Sequence, residues 1–309
     1  FSFAQSRRDI DIVFEASAVQ LTPNDGRSRL DRLSLVSGET RRDIAIKPGQ
    51  RVVLAGGGIG NAQLMLAPTG NSEIGLGNET DMVGRCLMEH PHFYSVARTV
   101  MSRSMTFPAV PDAFGRHAFA VVAEPTLRDR IGGLSVSMEF APVTPNTKDP
   151  TESYLQRKFG PDALTHILNV RSEMRPDPNN RVTLLAERDP AGLPRPKAVC
   201  SFGGDDLRAV NEALLALGHR LAEQDLGRLR IDNDILFRQA TGGGHTMGTT
   251  RMGADPATSV VDADCRVHRY DNVYVAGSSV FTTGGASNPT LTIAALAARL
   301  ADHLAEAQT

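Results

Sequence analysis

Tryptophan is absent from this 309-residue sequence, and all aromatic residues together make up only 5%. That weakens any reading that depends on a broad aromatic platform, although the Phe and Tyr residues present could still serve one. No stretch of about 18 apolar residues occurs, so no membrane-spanning helix is expected. Runs of one charge sign are missing and the formal net charge is −2, which excludes an acidic or basic tail and a clustered nucleic-acid footprint. The three cysteines, Cys86, Cys200 and Cys265, are odd in number, far apart and outside any C-x-x-C spacing. They read as free thiols of a reducing compartment or as indifferent core residues, so the expected location is cytoplasmic. The first residues, Phe1-Ser2-Phe3, include no initiator Met and no signal-peptide pattern. The expectation is a further upstream segment, on which any targeting signal would lie.

What remains is ordinary globular usage: 41% hydrophobic and 22% charged residues, enough for one large domain or two intertwined ones. No internal repeat is present. Ile10–Leu21 reads as a strand, Asn24-Asp25-Gly26 as a turn, and Leu30–Val36 as a second strand. Arg51–Ala55 is a short apolar run that meets Gly56-Gly57-Gly58, and Asn61–Leu66 reads as helix. Strand, glycine turn and helix is a nucleotide-domain arrangement.

From 87 to 235 the pattern changes. Alternating stretches such as Ala118–Ala123 and Leu134–Phe140, separated by Pro-rich connections such as Ala141–Pro150, predict antiparallel sheet. Asp205 and Asp206 are candidate caps for a helix whose apolar face carries Leu207, Val210, Leu214, Leu217 and Leu221. Beyond about 240 the glycine density rises again. Asn272–Ala276 reads as a buried strand ending at Gly277, and Pro289–Leu304 as a closing helix with Pro in its first turn.

The chemistry-bearing residues cluster late in the chain. They are the run Gly244-His245-Thr246-Met247-Gly248-Thr249-Thr250-Arg251-Met252-Gly253, the segment Gly277-Ser278-Ser279-Val280-Phe281, and Ser287-Asn288-Pro289-Thr290-Leu291-Thr292. Taken singly, a His among glycines is more often an ordinary loop residue, and Asn before Pro is commonly a turn or cap. Taken in order and spacing, H-x-M-G-T-x-R-M-G, A-G-S-S-V-F and S-N-P-T-L-T-I-x-A-L-A resemble the C-terminal signature of the glucose–methanol–choline oxidoreductases. The His…Asn pairing is more similar to the pyranose-oxidase and sugar-dehydrogenase branch than to the His/His branch. Three further stretches resemble the same family: Val52–Leu64, an A-G-G-I-x-N-A-x-L-L element; Asp81–His92, a G-R-x-L-M-x-H-P-H run; and Met174–Val182, a P-x-P-x-N-R-V strand entry.

The resemblance implies an α/β (α+β) fold, with an FAD-binding domain formed by 1–86 and 236–309 and an inserted antiparallel-sheet substrate domain at 87–235. The FAD domain would be partial, because the family's N-terminal G-x-G-x-x-G strand–helix has no convincing counterpart here. Gly56-Gly57-Gly58-Ile59-Gly60 lacks the acidic residue some 20 positions on that ribose binding requires. An upstream segment of the same polypeptide, or a separate chain, would therefore complete the FAD cradle. The implied activity is FAD-dependent oxidation of a sugar, glycoside or polyol hydroxyl, with His245 as general base, Asn288 orienting the hydroxyl, and hydride passing to flavin N5. The helix beginning near Pro289 would point its positive end at the flavin.

Implied cofactor-binding residues are Val19, Ala55, Gly57, Asn61, Gly277, Ser278, Asn288, Pro289 and Thr290. Their plain alternatives are strand core for Val19 and a strand terminator for Gly277. No metal is expected: His90 and His92 have H-x-H spacing but no evident third ligand, and they read as structural or loop residues. Arg251 either pairs with a phosphate or carboxylate or braces its loop. His117, His166, His219, His268 and His303 belong to no visible constellation. Two other readings stay open, a non-catalytic scaffold half and an oxidase of a sterol or aliphatic alcohol. Substrate position, electron acceptor, flavin linkage and oligomeric state are not specified by the sequence.

Overall fold

A computed structural model describes residues 7, 9–70, 72–103, 110–111 and 117–306 of the chain. Apolar residues spaced for a half-buried face make Ser17–Pro23 (β1) and Leu30–Ser37 (β2) an antiparallel pair. The Asn24 side chain closes the turn between them by accepting from the backbone N–H groups of Ser28 and Arg29. The strand begins at Ser17 and not at Ile10. Ile10, Ile12, Val13 and Phe14 are exposed and precede the paired part of β1. Thr40–Ala45 (β3) pairs with β2 and is exposed along its length. It carries no apolar alternation and so gave no strand signal.

Val52–Leu54 (β4) and Val273–Val275 (β14) form a two-stranded parallel sheet, at the short apolar run Arg51–Ala55 and at the buried strand expected over Asn272–Ala276. The glycine run after β4 opens a helix, Gly57–Leu66 (α1), that starts four residues earlier than its apolar residues suggest. Its first turn can be glycine-rich because Gly57 takes φ +73, a conformation that costs glycine little.

The middle of the chain forms one antiparallel sheet, as expected. Its strands are Pro91–Met101 (β5), Val110–Pro111 (β6), His117–Val122 (β7), Val136–Pro142 (β8), Leu164–Ser172 (β9) and Gly227–Ile231 (β12), in the order β12-β5-β9-β8-β7-β6, and Thr241–Gly242 (β13) also pairs with β5. Arg181–Arg188 (β10) and Pro194–Val199 (β11) make a separate hairpin. Two short helices, Pro125–Arg130 (α2) and Pro150–Phe159 (α3), lie in the connections.

Gly204–Glu223 (α4) covers the sheet, burying Ala209, Val210, Ala213, Leu214 and Leu221 in a cluster with Phe93, Val96 and Leu168. Full burial of each larger aliphatic side chain contributes about 1.5–3 kcal/mol. The helix cap differs from expectation. Gly203 is the N-cap, and the Asp206 carboxylate reaches back to accept from the Gly203 N–H at 3.0 Å. It also accepts from the Arg175 N–H at 3.2 Å, while Asp205 sits exposed beside Arg208.

A second apolar cluster gathers Leu21, Leu54, Met65, Val273 and Val275. It also takes Leu87, Met88, Met174 and Val182, while Leu236 belongs to the sheet cluster. The two cores therefore interleave across the expected boundaries at 87 and 235. Asn233–Arg238 (α5) leads back out of the sheet, and Thr290–Glu306 (α6) closes the chain. Only Leu300 of α6 is buried; Leu291 is 83% exposed, and Ala294, Ala295, Ala297, Ala298 and Ala301 are exposed as well.

Candidate active site

Two chain segments far apart in sequence run antiparallel at the centre of the molecule. Met88 and Met247 exchange backbone hydrogen bonds of 2.9 and 3.0 Å, and β13 pairs Thr241 with His92 and Gly242 with Pro91. The residues between these anchors, Glu89–His90 and Gly243–Thr246, are thereby laid side by side. The Glu89 carboxylate accepts from the His245 backbone N–H at 2.9 Å. Nδ1 of His245 lies 3.1 Å from Nδ1 of His90, and Nε2 of His90 lies 3.1 Å from the Gly284 carbonyl.

His92 faces the same way as His90, as alternate residues of an extended segment do. Its ring centroid is 6.3 Å from that of His245, and its Nδ1 is 3.0 Å from the Tyr94 hydroxyl. A Cβ at Gly243 would fall 2.7 Å from His92 Nε2 and 3.2 Å from His245 Nδ1, so only glycine fits between the two rings. His90 and His92, expected from the sequence as structural or loop residues, flank His245, and their shared face is the signal the sequence carries. Burial holds the pKa of His90 below the usual imidazole value. Burial, with Arg171 and the neighbouring histidines, pushes His92 down to about 4. Desolvation penalises the charged imidazolium in both cases. Among the described residues no group of His, Cys, Asp and Glu is arranged to hold a metal ion.

The loop carrying His245 is fixed from below. Gly248, Thr250 and Met252 donate their N–H groups to the carbonyls of Ser278, Ser279 and Val280, at 3.2, 2.8 and 2.9 Å. The latter three residues form a single 3-10 turn. The Ser278 hydroxyl donates to the Thr246 carbonyl at 2.8 Å, so that side chain is already engaged. The Thr249 hydroxyl donates to the Gly58 carbonyl at 2.5 Å, and a Cβ at Gly58 would stand 2.5 Å from the Thr246 carbonyl. The first turn of α1 therefore packs directly on the His245 loop. Arg251 braces this region, donating to the Cys86 sulfur at 3.3 Å.

Ala55 and Gly57 follow β4, and Gly277 follows β14, so the two turns sit together at the carboxyl ends of adjacent parallel strands. This is where ligands bind in open α/β sheets. Gly57 (φ +73) and Gly277 (φ +107) both face open space, with nothing within 4 Å of a built Cβ. The Asn61 side chain is engaged by both turns. It is 2% exposed, its Oδ1 accepts from the Gly56 N–H at 2.7 Å, and its Nδ2 donates to Ser279 Oγ at 2.9 Å and to the Ala276 carbonyl at 3.3 Å. With its amide spent, Asn61 clamps the two turns together. Val19 is the extra residue of a bulge in β1, between the pairs Ala18–Leu35 and Gln20–Ser34.

Asn288 and Thr290 are exposed and Pro289 is buried. Asn288 lines an open cleft with Ser135, Ser137, Phe281 and Gly285. No hydrogen bond joins Asn288 to His245; the link runs through His90 to Gly284, four residues before Asn288. His166, His219, His268 and His303 lie outside this cluster, and the His117 side chain lies outside the described residues.

Residues 176–297 match the family profile described as GMC oxidoreductase. The chain is 26% identical over 304 residues to the fructose dehydrogenase large subunit of Gluconobacter japonicus, covering 93% of this chain and 53% of that protein. It is 29% identical over 273 residues to 2-methyl-1,2-propanediol dehydrogenase of Mycolicibacterium austroafricanum, covering 82% of this chain and 47% of that one. The chain thus spans about half the length of the curated relatives it matches. The crystal structure of pyridoxine 4-oxidase from Mesorbium loti superposes with a TM-score of 0.63 at 18% identity, over 97% of this chain and 59% of that structure. The chain therefore shares its fold with pyridoxine 4-oxidase over the matched residues.

Proposed function

We propose, from a chain whose residues 176–297 carry the C-terminal domain of the GMC oxidoreductases, that it forms the substrate side of an FAD-dependent enzyme oxidising a sugar, glycoside or polyol hydroxyl. The observation that carries this is the placement of His245. The Glu89 carboxylate holds its backbone and His90 holds its ring, beside open glycine turns at the carboxyl ends of β4 and β14. The names of the fructose and propanediol dehydrogenases put sugars and polyols first among substrates.

The residues present fit one face of an FAD. Gly57, Gly277 and Gly285 all take positive φ and leave open space where a side chain would stand, which allows backbone to approach a planar ligand closely. Ala55, Gly57, Gly277 and the Asn288–Thr290 segment would line it, with the Val19 bulge further along. Bound there, FAD supplies the hydride acceptor. The chain's own task is to position the substrate hydroxyl and take its proton. His245 accepts that proton, a role imidazole suits near neutral pH. Asn288, exposed in the cleft, hydrogen-bonds and orients the hydroxyl, and such positioning lowers a barrier by several kcal/mol.

The pyrophosphate cradle would come from an upstream segment or a separate chain. Two surfaces suit its docking: the exposed Leu291 and alanine face of α6, and the two-stranded parallel sheet, whose Val53 is 41% exposed. Parallel sheets are ordinarily covered on both faces. A scaffold without catalysis would not need both His90 and His92 set against His245. An absorption spectrum of the natural full-length protein tests the reading. A flavin band that bleaches anaerobically with a sugar or polyol supports it; absence of flavin after FAD is added to the complete protein overturns it.

A further inference from the structure

We infer that His90 is a positioning residue that fixes the tautomer of His245, leaving Nε2 of His245 as the proton-accepting atom. The inference rests on His245 being the base proposed above, and it names the atom and the device that prepares it.

The argument follows from donor and acceptor chemistry. The Gly284 carbonyl can only accept, so the nitrogen 3.1 Å from it, His90 Nε2, carries the proton of that contact. His90 has no solvent exposure and burial disfavours its charged form; in the neutral ring, with Nε2 carrying the proton, Nδ1 presents a lone pair. The group 3.1 Å from that lone pair is His245 Nδ1, which must therefore donate. Neutral His245 is then the Nδ1–H tautomer, and its lone pair sits on Nε2. A ring whose second nitrogen is engaged in this way has its basic atom defined before substrate arrives.

The arrangement also acts after proton transfer. Once Nε2 of His245 gains a proton, the Nδ1–H donor is charged, and hydrogen bonds from charged donors are roughly twice as strong as neutral ones. His90 thus favours the protonated product of the step as long as it stays neutral itself. The ionisable groups acting on His90 are His245, Glu89 and Glu173, with His92 and Arg171 beyond. Gly284 lies on the loop that leads to Asn288, so one relay ties the base to the residue proposed to orient the hydroxyl. Glycine at 284 lets this loop approach closely: a built Cβ would stand 3.0 Å from the Met247 methyl and 3.7 Å from His90 Nε2.

The test combines histidine-selective 15N NMR of the full-length protein with kinetics of His90→Phe and His90→Asn. Phenylalanine keeps a ring and removes both nitrogens, whereas asparagine can return an acceptor near the Nδ1 position. The wild type is expected to show His245 protonated at Nδ1 and bare at Nε2. His90→Phe is expected to lose that preference, to lower kcat about 10- to 100-fold with KM little changed, and to move the acidic limb of the pH–rate profile. His90→Asn should recover part of both. A wild-type His245 protonated at Nε2 overturns the inference, as does a His90→Phe variant with unchanged tautomer and pH profile. The NMR reading needs no substrate, so it can fail while oxidation by His245 stands. Equally, it can hold while a His245 substitution refutes that oxidation.

Discussion

The Nδ1 atoms of His90 and His245 lie 3.1 Å apart across 155 positions of sequence. Their contact is made by backbone pairing, Met88 with Met247 on one side and His92 with Thr241 on the other. The candidate site is thus a product of the sheet's edge, and four predictions follow from the way it is built.

Gly243 separates the rings of His92 and His245. In Gly243→Ala the added methyl would lie 2.7 Å from His92 Nε2 and 3.2 Å from His245 Nδ1. Overpacking of this kind costs about 1–3 kcal/mol when neighbours must move. We expect a fall in activity of about tenfold or more, because a small misplacement of a catalytic group is expensive, with a modest drop in the unfolding midpoint. Steady-state kinetics and thermal melts on the same sample check this.

His92 governs acid stability. Its folded pKa is depressed to about 4, against about 6.5 in an unfolded chain. Between these values the unfolded chain binds more protons than the folded one, so stability falls as pH falls. The neutral-His contribution is complete above pH 6.5 and is lost progressively toward pH 4. His90 and His166, also depressed by burial, act in the same direction. Urea unfolding from pH 7 to pH 4 should show the decline, and His92→Asn, which keeps an acceptor for Tyr94, should flatten it.

Asn61 is a clamp. Asn61→Ala removes the partner of the Gly56 N–H and of the buried Ser279 hydroxyl. Leaving such groups unmatched costs roughly 1–3 kcal/mol each, so a total of about 2–6 kcal/mol is expected. A denaturant titration reads this directly. If the amide were instead a ligand contact, stability would hold while cofactor affinity fell.

Much of this architecture is legible in the sequence, for reasons that differ by region. The C-terminal signature is a contiguous run of side chains, so His245, Gly277 and Asn288 stand out without a fold. Alternation over Ala118–Ala123 and Leu134–Phe140 reports β7 and β8 because those strands have one apolar face. β3 was not legible, since an exposed edge strand such as Thr40–Ala45 has no apolar period. Ile10–Phe14 resembles a strand in composition, but apolar composition alone does not set where a ladder begins, and the pairing starts at Ser17. His90, His92 and the clamp of Asn61 are hidden because their meaning lies in pairings 149 to 218 positions away.

The central claim is that His245 takes the hydroxyl proton. The most direct measurement is anaerobic stopped-flow reduction of the flavin in the full-length protein by its sugar or polyol substrate, comparing wild type with His245→Ala at several pH values. The account predicts that the variant keeps its flavin spectrum while reduction slows by about 10²- to 10⁴-fold and loses its acidic pH limb. A variant that retains flavin and is reduced at the wild-type rate with the wild-type pH profile would contradict it.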